Sequence, residues 1–160
     1  MAQNPSISPE PEAQPSPPTP HPALKRLDKM VGTWNLKGRD FDTNGEITGQ
    51  VTFEWLEGGF FLVQHININY IGQEIKGIEI IGYDPSSQTF PSHIFDNAGN
   101  HLQYTYEVGE ESMTIWAGPK GSPTHMESKF SEGGNVFTGR WILGPDFPGS
   151  GYEFTVTKVK

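Results

Sequence analysis

From residue 32 onward the chain alternates between apolar and polar positions. Val51, Phe53 and Trp55 are interleaved with Thr52 and Glu54. Leu102, Tyr104, Tyr106 and Val108 are interleaved with His101, Gln103, Thr105 and Glu107, and Tyr152, Phe154 and Val156 with Glu153, Thr155 and Thr157. A period of two places one set on each face of a strand. Turn residues bound ten such runs: 32–42, 46–56, 60–70, 74–83, 89–95, 101–108, 111–117, 124–130, 135–143 and 152–159. Asn44-Gly45 between the first two is a strong hairpin signal. Ahead of the strands, HPALKRLDKMVG carries Leu24, Leu27 and either Met30 or Val31 at helical spacing, with Pro22 suited to the start of a helix and Gly32 to its end.

Nothing helical separates the strands, so no parallel crossover is available and sequential strands pair antiparallel. Closing the sheet removes its two edges. The pattern therefore predicts an all-β fold, an up-and-down antiparallel β-barrel of about 8–10 strands with one short N-terminal helix. A two-sheet sandwich is the second choice. The helix is expected to plug the closed end of the barrel with Leu24, Leu27 and Val31.

Parity also names the lumen. Trp34, Leu36, Gly38 and Asp40 share a face, as do Phe60, Leu62, Gln64, Ile66, Ile68 and Tyr70, and Met126, Ser128 and Phe130. Two strands resist this reading. IKGIEIIGY is apolar on both faces, so Glu79 points inward with Ile75, Gly77 and Ile81 or outward without them. His93 alternates with Phe95, while Ile94 has the parity of Phe90. The expected lining is apolar and aromatic, with Trp55, Gln64, Tyr104, Tyr106 and Tyr152 as candidate ligand contacts. The competing reading is that these residues fill the barrel and leave no space.

Composition sharpens the boundaries. Eight of the 14 prolines fall in the first 22 residues, with almost no large apolar side chain. Residues 1–22 read as a disordered proline-rich tail and 23–160 as one barrel domain. Pro15 and Pro18 match P-x-x-P, as prolines this dense do by chance. The tail has no pattern of a secretory signal. The formal charge of −8 argues against nucleic acid, and no apolar run is long enough for a membrane helix. The chain has no cysteine, which removes disulfides, thiol nucleophiles and thiolate-ligated metals and fits a cytoplasmic location.

The junction MVGTWNLKG resembles the start of the calycins, the lipocalins and fatty-acid-binding-type barrels, whose shared G-x-W is matched by Gly32 and Trp34. In lipocalins a late-strand arginine packs on that tryptophan, so the resemblance implies Arg140 as the partner of Trp34. More of the chain resembles the bacterial lipocalin-like domains of unknown function 1579: LxxMVGTW, GGFFLVQ, IKGIEIIGYDPSSQTF, DNAG and YEFTVTKVK, with GYD at Gly82-Tyr83-Asp84 the most specific piece. That family implies a calycin-type barrel and no particular reaction. Haem-binding barrels with the same start need an axial histidine inside, and His93 is the one candidate here.

No H-x-H, H-E-x-x-H or G-x-S-x-G spacing occurs, so neither a metal, a cofactor nor a serine nucleophile is expected. The glycine pairs in EGGF and SEGGN precede strands and read as turns, not phosphate loops. Lys25, Arg26 and Lys29 read as the solvated face of the helix. The residues point to a barrel that binds a small, largely apolar or aromatic molecule. The enzymatic alternative is a cofactor-free isomerase, cyclase or dehydratase with Glu79 or His93 as its acid–base group. A filled barrel that acts through its surface or as a homodimer is the third reading.

Overall fold

The computed structural model describes residues 11–159, so the first ten residues of the proline-rich segment lie outside the described residues. Residues 11–21 form neither helix nor strand. A 3-10 helix follows over Pro22–Met30. The strands are β1 (Gly32–Asp40), β2 (Glu46–Trp55), β3 (Leu62–Tyr70), β4 (Gln73–Ile81), β5 (Phe90–Asp96), β6 (His101–Val108), β7 (Ser112–Trp116), β8 (His125–Ser131), β9 (Val136–Ile142) and β10 (Gly151–Lys158). A three-residue 3-10 turn, Glu132–Gly134, joins β8 to β9.

Each strand pairs antiparallel with the next, and β1 pairs with β10, so the sheet closes. This is the up-and-down barrel that the alternation predicts. All ten expected strands form, with ends shifted by a few residues. β3 begins at Leu62 and not at Phe60, because Gly58 and Gly59 turn with positive φ and the Gly59 N–H bonds the Leu56 carbonyl.

The helix is wound with three residues per turn. That period brings Leu24, Leu27 and Met30 onto one buried stripe, with Ala23 beside them. Met30 takes the place expected of Val31, which is half-buried. Gly32 then enters β1 with φ of 128°, a conformation open to glycine. Three contacts latch the helix onto the barrel. Trp34 Nε1 donates to the Met30 carbonyl at 2.8 Å, Trp55 Nε1 donates to Asp28 at 2.9 Å, and Lys29 Nζ donates to the carbonyls of Gly109 and Glu110. Lys29 also lies 5.4 Å from the Phe130 ring centroid, and burial lowers its pKa. It is a packing residue, not the solvated cation the sequence pattern predicts.

The barrel thus has a closed end under the helix and an open end bounded by five hairpins. Trp34, Phe90, Leu62 and Ile81 fill the closed end with essentially no exposed surface. Trp34 is edge-on to Phe137, and Lys158 lies above its indole at 5.4 Å. Lys158 is the cross-strand partner of Trp34. The arginine expected there, Arg140, sits between the inward-pointing Gly139 and Trp141. It therefore projects outward and pairs with Glu127 at 3.7 Å.

Candidate functional site

A cavity of about 390 Å³ runs from Met30 at the helix plug to Tyr70, Leu143 and Tyr152 at the hairpin end. Its walls are the inward positions of the strands. They are mostly apolar, with Leu36, Val51, Phe53, Ile66, Ile115 and Met126 among them. The volume falls in the range of roughly 300–1,000 Å³ common to small-molecule sites.

The two ambiguous strands are resolved by their register. β5 turns Phe90, Ser92 and Ile94 inward and leaves His93 on the outer surface, where it neighbours His101 at 5.7 Å between ring centroids. His93 is therefore not a lumen group, and among the described residues no histidine lines the cavity. β4 turns Glu79 inward, 1% exposed, while Ile78 and Ile80 face outward. The polar residue is inside and the isoleucines outside, the inverse of ordinary burial. Gly77 allows β4 and β5 to approach closely in this register, since a Cβ there would lie 2.5 Å from the Phe95 carbonyl oxygen of β5.

Glu79 is held by two hydroxyls, one per oxygen. Tyr106 donates to Oε1 at 2.5 Å and Ser92 to Oε2 at 2.7 Å. Both donors are themselves buried. Desolvation pushes the Glu79 pKa up to about 7 against the opposing pull of these two bonds. The Tyr106 phenol is driven well above its ordinary value by burial and by the adjacent carboxylate. Among the described residues, Glu79 has no Lys, Arg or His partner.

Gln64 lies directly across from Glu79 in the β3–β4 register, and Tyr104 lies across from Ser92 in the β5–β6 register. Both line the cavity, as does Tyr152 nearer the mouth. Burial raises the Tyr104 and Tyr152 phenols. At the mouth, Tyr70 donates to Asp40 at 2.6 Å, which lowers the Asp40 pKa, and burial together with this bond lifts the Tyr70 phenol to about 12. Asp96 lines the same end.

Of the candidate contacts, Gln64, Tyr104, Tyr106 and Tyr152 reach the cavity. Trp55 does not. It has the inward parity, but it lies at the last position of β2, beyond the lumen, and its indole is spent on the helix. Sequence reasoning missed Ser92 and Trp141. Ser92 has the parity of Phe90, and Trp141 that of Phe137, so inward alternation was the signal for both.

A solved Mycobacterium tuberculosis structure, Rv2717c, is similar at a TM-score of 0.55 and 13% identity, with 88% of this chain and 99% of that one covered. A looser likeness is to a de novo designed fluorescence-activating β-barrel, with TM-score 0.45, 14% identity, and 82% of this chain and 95% of that one covered. The likeness to Rv2717c concerns the fold alone. No curated protein matches the chain. The family described as protein of unknown function (DUF1579) matches residues 19–129, from just before the helix into β8. That is more than half of the chain, which belongs to this family.

Proposed function

We propose that the barrel binds a small, largely apolar molecule in its lumen. The cavity carries this reading: it is about 390 Å³, walled mainly by apolar side chains and open at the hairpin end. Gln64, Tyr104 and Tyr152 line it, and among the described residues none of the side-chain hydrogen bonds uses their polar ends, so they are available to orient a ligand. Titration with a neutral apolar dye such as Nile red tests the reading. Ile66→Trp, which puts an indole into the lumen, is expected to abolish the fluorescence gain while leaving the circular dichroism spectrum intact. Unchanged dye binding in that variant would place the ligand elsewhere.

A second reading rests on Glu79. A carboxyl near pKa 7 beside a phenol is suited to moving a proton at neutral pH. An enzyme would then use Glu79 as base and Tyr106 to position it. Conversion of a host metabolite by the wild type but not by Glu79→Gln, followed by mass spectrometry, separates this from binding alone.

A further inference from the structure

Among the described residues, the cavity wall contains two carboxylates, Glu79 and Asp96, and no lysine, arginine or histidine. Glu79 stands at its deep end, two residues from the end of β4 that the helix covers. We propose that the lumen takes an apolar amine, its ammonium group held by Glu79, Gln64 and Tyr104 and its hydrocarbon part directed toward the mouth. This rests on the lumen being a binding site and names the class of molecule it takes.

The donor and acceptor inventory supports it. An ammonium group has three N–H donors and no acceptor. Glu79 has two oxygens with about four lone-pair sites, of which Tyr106 and Ser92 occupy two. Gln64 is its direct cross-strand neighbour, so its amide oxygen is within reach of a group bound at the carboxylate. Tyr104 supplies a third oxygen from β6, as the cross-strand neighbour of Ser92, which itself bonds Glu79. These side chains offer three acceptors to three donors.

Charge gives the same answer. Tyr106 and Ser92 both donate to the carboxylate and so solvate its ionised form. Nothing in the wall neutralises that charge. A buried carboxylate without a cation is costly, and an arriving cation removes the cost. A fatty acid would bring a second anion into a lumen that offers it no cation. A neutral alcohol would leave the carboxylate as it stands. The chain's charge of −8 favours the approach of cations over anions.

The groups facing Glu79 are simple enough to predict its pH dependence. β3 presents Gln64, β5 presents Ser92 and β6 presents Tyr104 and Tyr106, while the helix contributes only Met30 to the same cavity. None carries a charge near neutrality, and the Asp96 carboxyl at the mouth is kept low by its Asn100 hydrogen bonds. The amine stays protonated throughout this range. Its affinity therefore follows ionisation of Glu79, high above neutral pH and falling as the pH drops and Glu79 takes up a proton.

Isothermal titration of the full chain with decylamine, decanol and decanoate tests this. At about pH 8, decylamine should bind wild type roughly tenfold or more tighter than decanol, with decanoate weakest. Glu79→Gln should erase the preference for decylamine and leave decanol within about threefold. In wild type, decylamine affinity should fall between about pH 8 and pH 6 while decanol stays level, a readout that needs no variant. Decanol binding as tightly as decylamine would overturn the amine assignment and leave lumen binding standing. A decylamine preference that survives in Glu79→Gln would put the cation elsewhere and overturn it too. If none of the three binds and the neutral dye also fails, lumen binding falls and the amine assignment with it.

Discussion

At the helix end of the barrel, Trp34, Leu27, Met30 and Phe90 are at most 1% exposed; at the hairpin end, Phe41, Ile71, Leu102 and Leu143 are 36–43% exposed and Phe147 60%. Both ends grow from the same alternation in the same strands. They differ because one receives a helix as well as turns and the other receives turns alone. The 3-10 helix brings a buried stripe and three latches, so the closed end packs like a core. The hairpins bring turns that cannot cover the lumen, so apolar side chains there remain at the rim of a cavity. One end carries stability, and the other carries access.

The largest expected effect is at the closed end. Trp34→Ala removes a fully buried indole, its hydrogen bond to Met30 and the platform under Lys158. A loss of about 3–5 kcal/mol is expected in urea denaturation. Dye affinity, corrected for the folded fraction, should hardly change. A variant that kept its stability but lost binding would put Trp34 in the site and erase the distinction between the ends.

Glu79 lies between the two regimes, and its test is the pH dependence of stability. Its folded pKa, about 7, is above the ordinary 4.5. The folded state then holds its proton more tightly than the unfolded chain does. The associated stability is fully present below pH 4.5 and is lost as the pH rises through about 7. The full span is about 3 kcal/mol. Glu79→Gln, which retains hydrogen bonding to Tyr106 and Ser92, should remove that part of the slope. Parallel denaturant curves for the two proteins across this range would show no difference if Glu79 were solvated.

Much of the closed end was legible in the sequence, and less of the site. Ten runs of alternation bounded by turn residues lead to ten strands, since a period of two and a glycine or Asx turn are local signals. Gln64, Tyr104 and Tyr152 followed from parity alone. Glu79 did not, because β4 is apolar on both faces and period cannot say which face turns in. The register is set by contact across strands, as at Gly77 against Phe95. The resemblance points to Arg140, but its own neighbours argue otherwise: Gly139 and Trp141 turn inward, so it turns out. Trp55 had the right parity and the wrong height along the barrel axis, which alternation does not encode. Helical spacing left Met30 and Val31 undecided because it cannot tell three residues per turn from 3.6 over two turns.

The mouth supplies the smaller effects. Tyr70→Phe removes the hydrogen bond that lowers the Asp40 pKa. The Asp40 carboxyl should then titrate closer to its ordinary value, which an NMR pH titration reads directly. The sign for stability is opposite to that at Glu79: a depressed carboxylate contributes above its unfolded pKa and loses that contribution as the pH falls. Asp40 also accepts from the Thr43 N–H and hydroxyl, so part of the depression should remain. A value identical to wild type would mean that the Tyr70 bond is not made in solution.

The last test asks whether the mouth was shaped for stability at all. Ile71 and Gly72 form the two-residue turn between β3 and β4, and both have positive φ, 53° and 86°. A β-branched residue is poorly suited to that conformation, whereas Asn-Gly is the preferred pair in such a turn. Ile71 also packs against Gly45, where an added Cβ would lie 2.8 Å from its Cγ1. The side chain thus joins two hairpins at the rim while straining its own backbone. Ile71→Asn should relieve roughly 1–2 kcal/mol of conformational strain and lose part of that packing, for a net stabilisation of about 1 kcal/mol in thermal or urea unfolding. Nile red affinity should fall modestly, because Ile71 adjoins Tyr70, which lines the cavity entrance. Stabilisation together with weaker binding would show that the mouth holds a costly residue for access and not for folding. Destabilisation would show that the Ile71–Gly45 contact outweighs the strain, making this part of the rim structural, like the helix end.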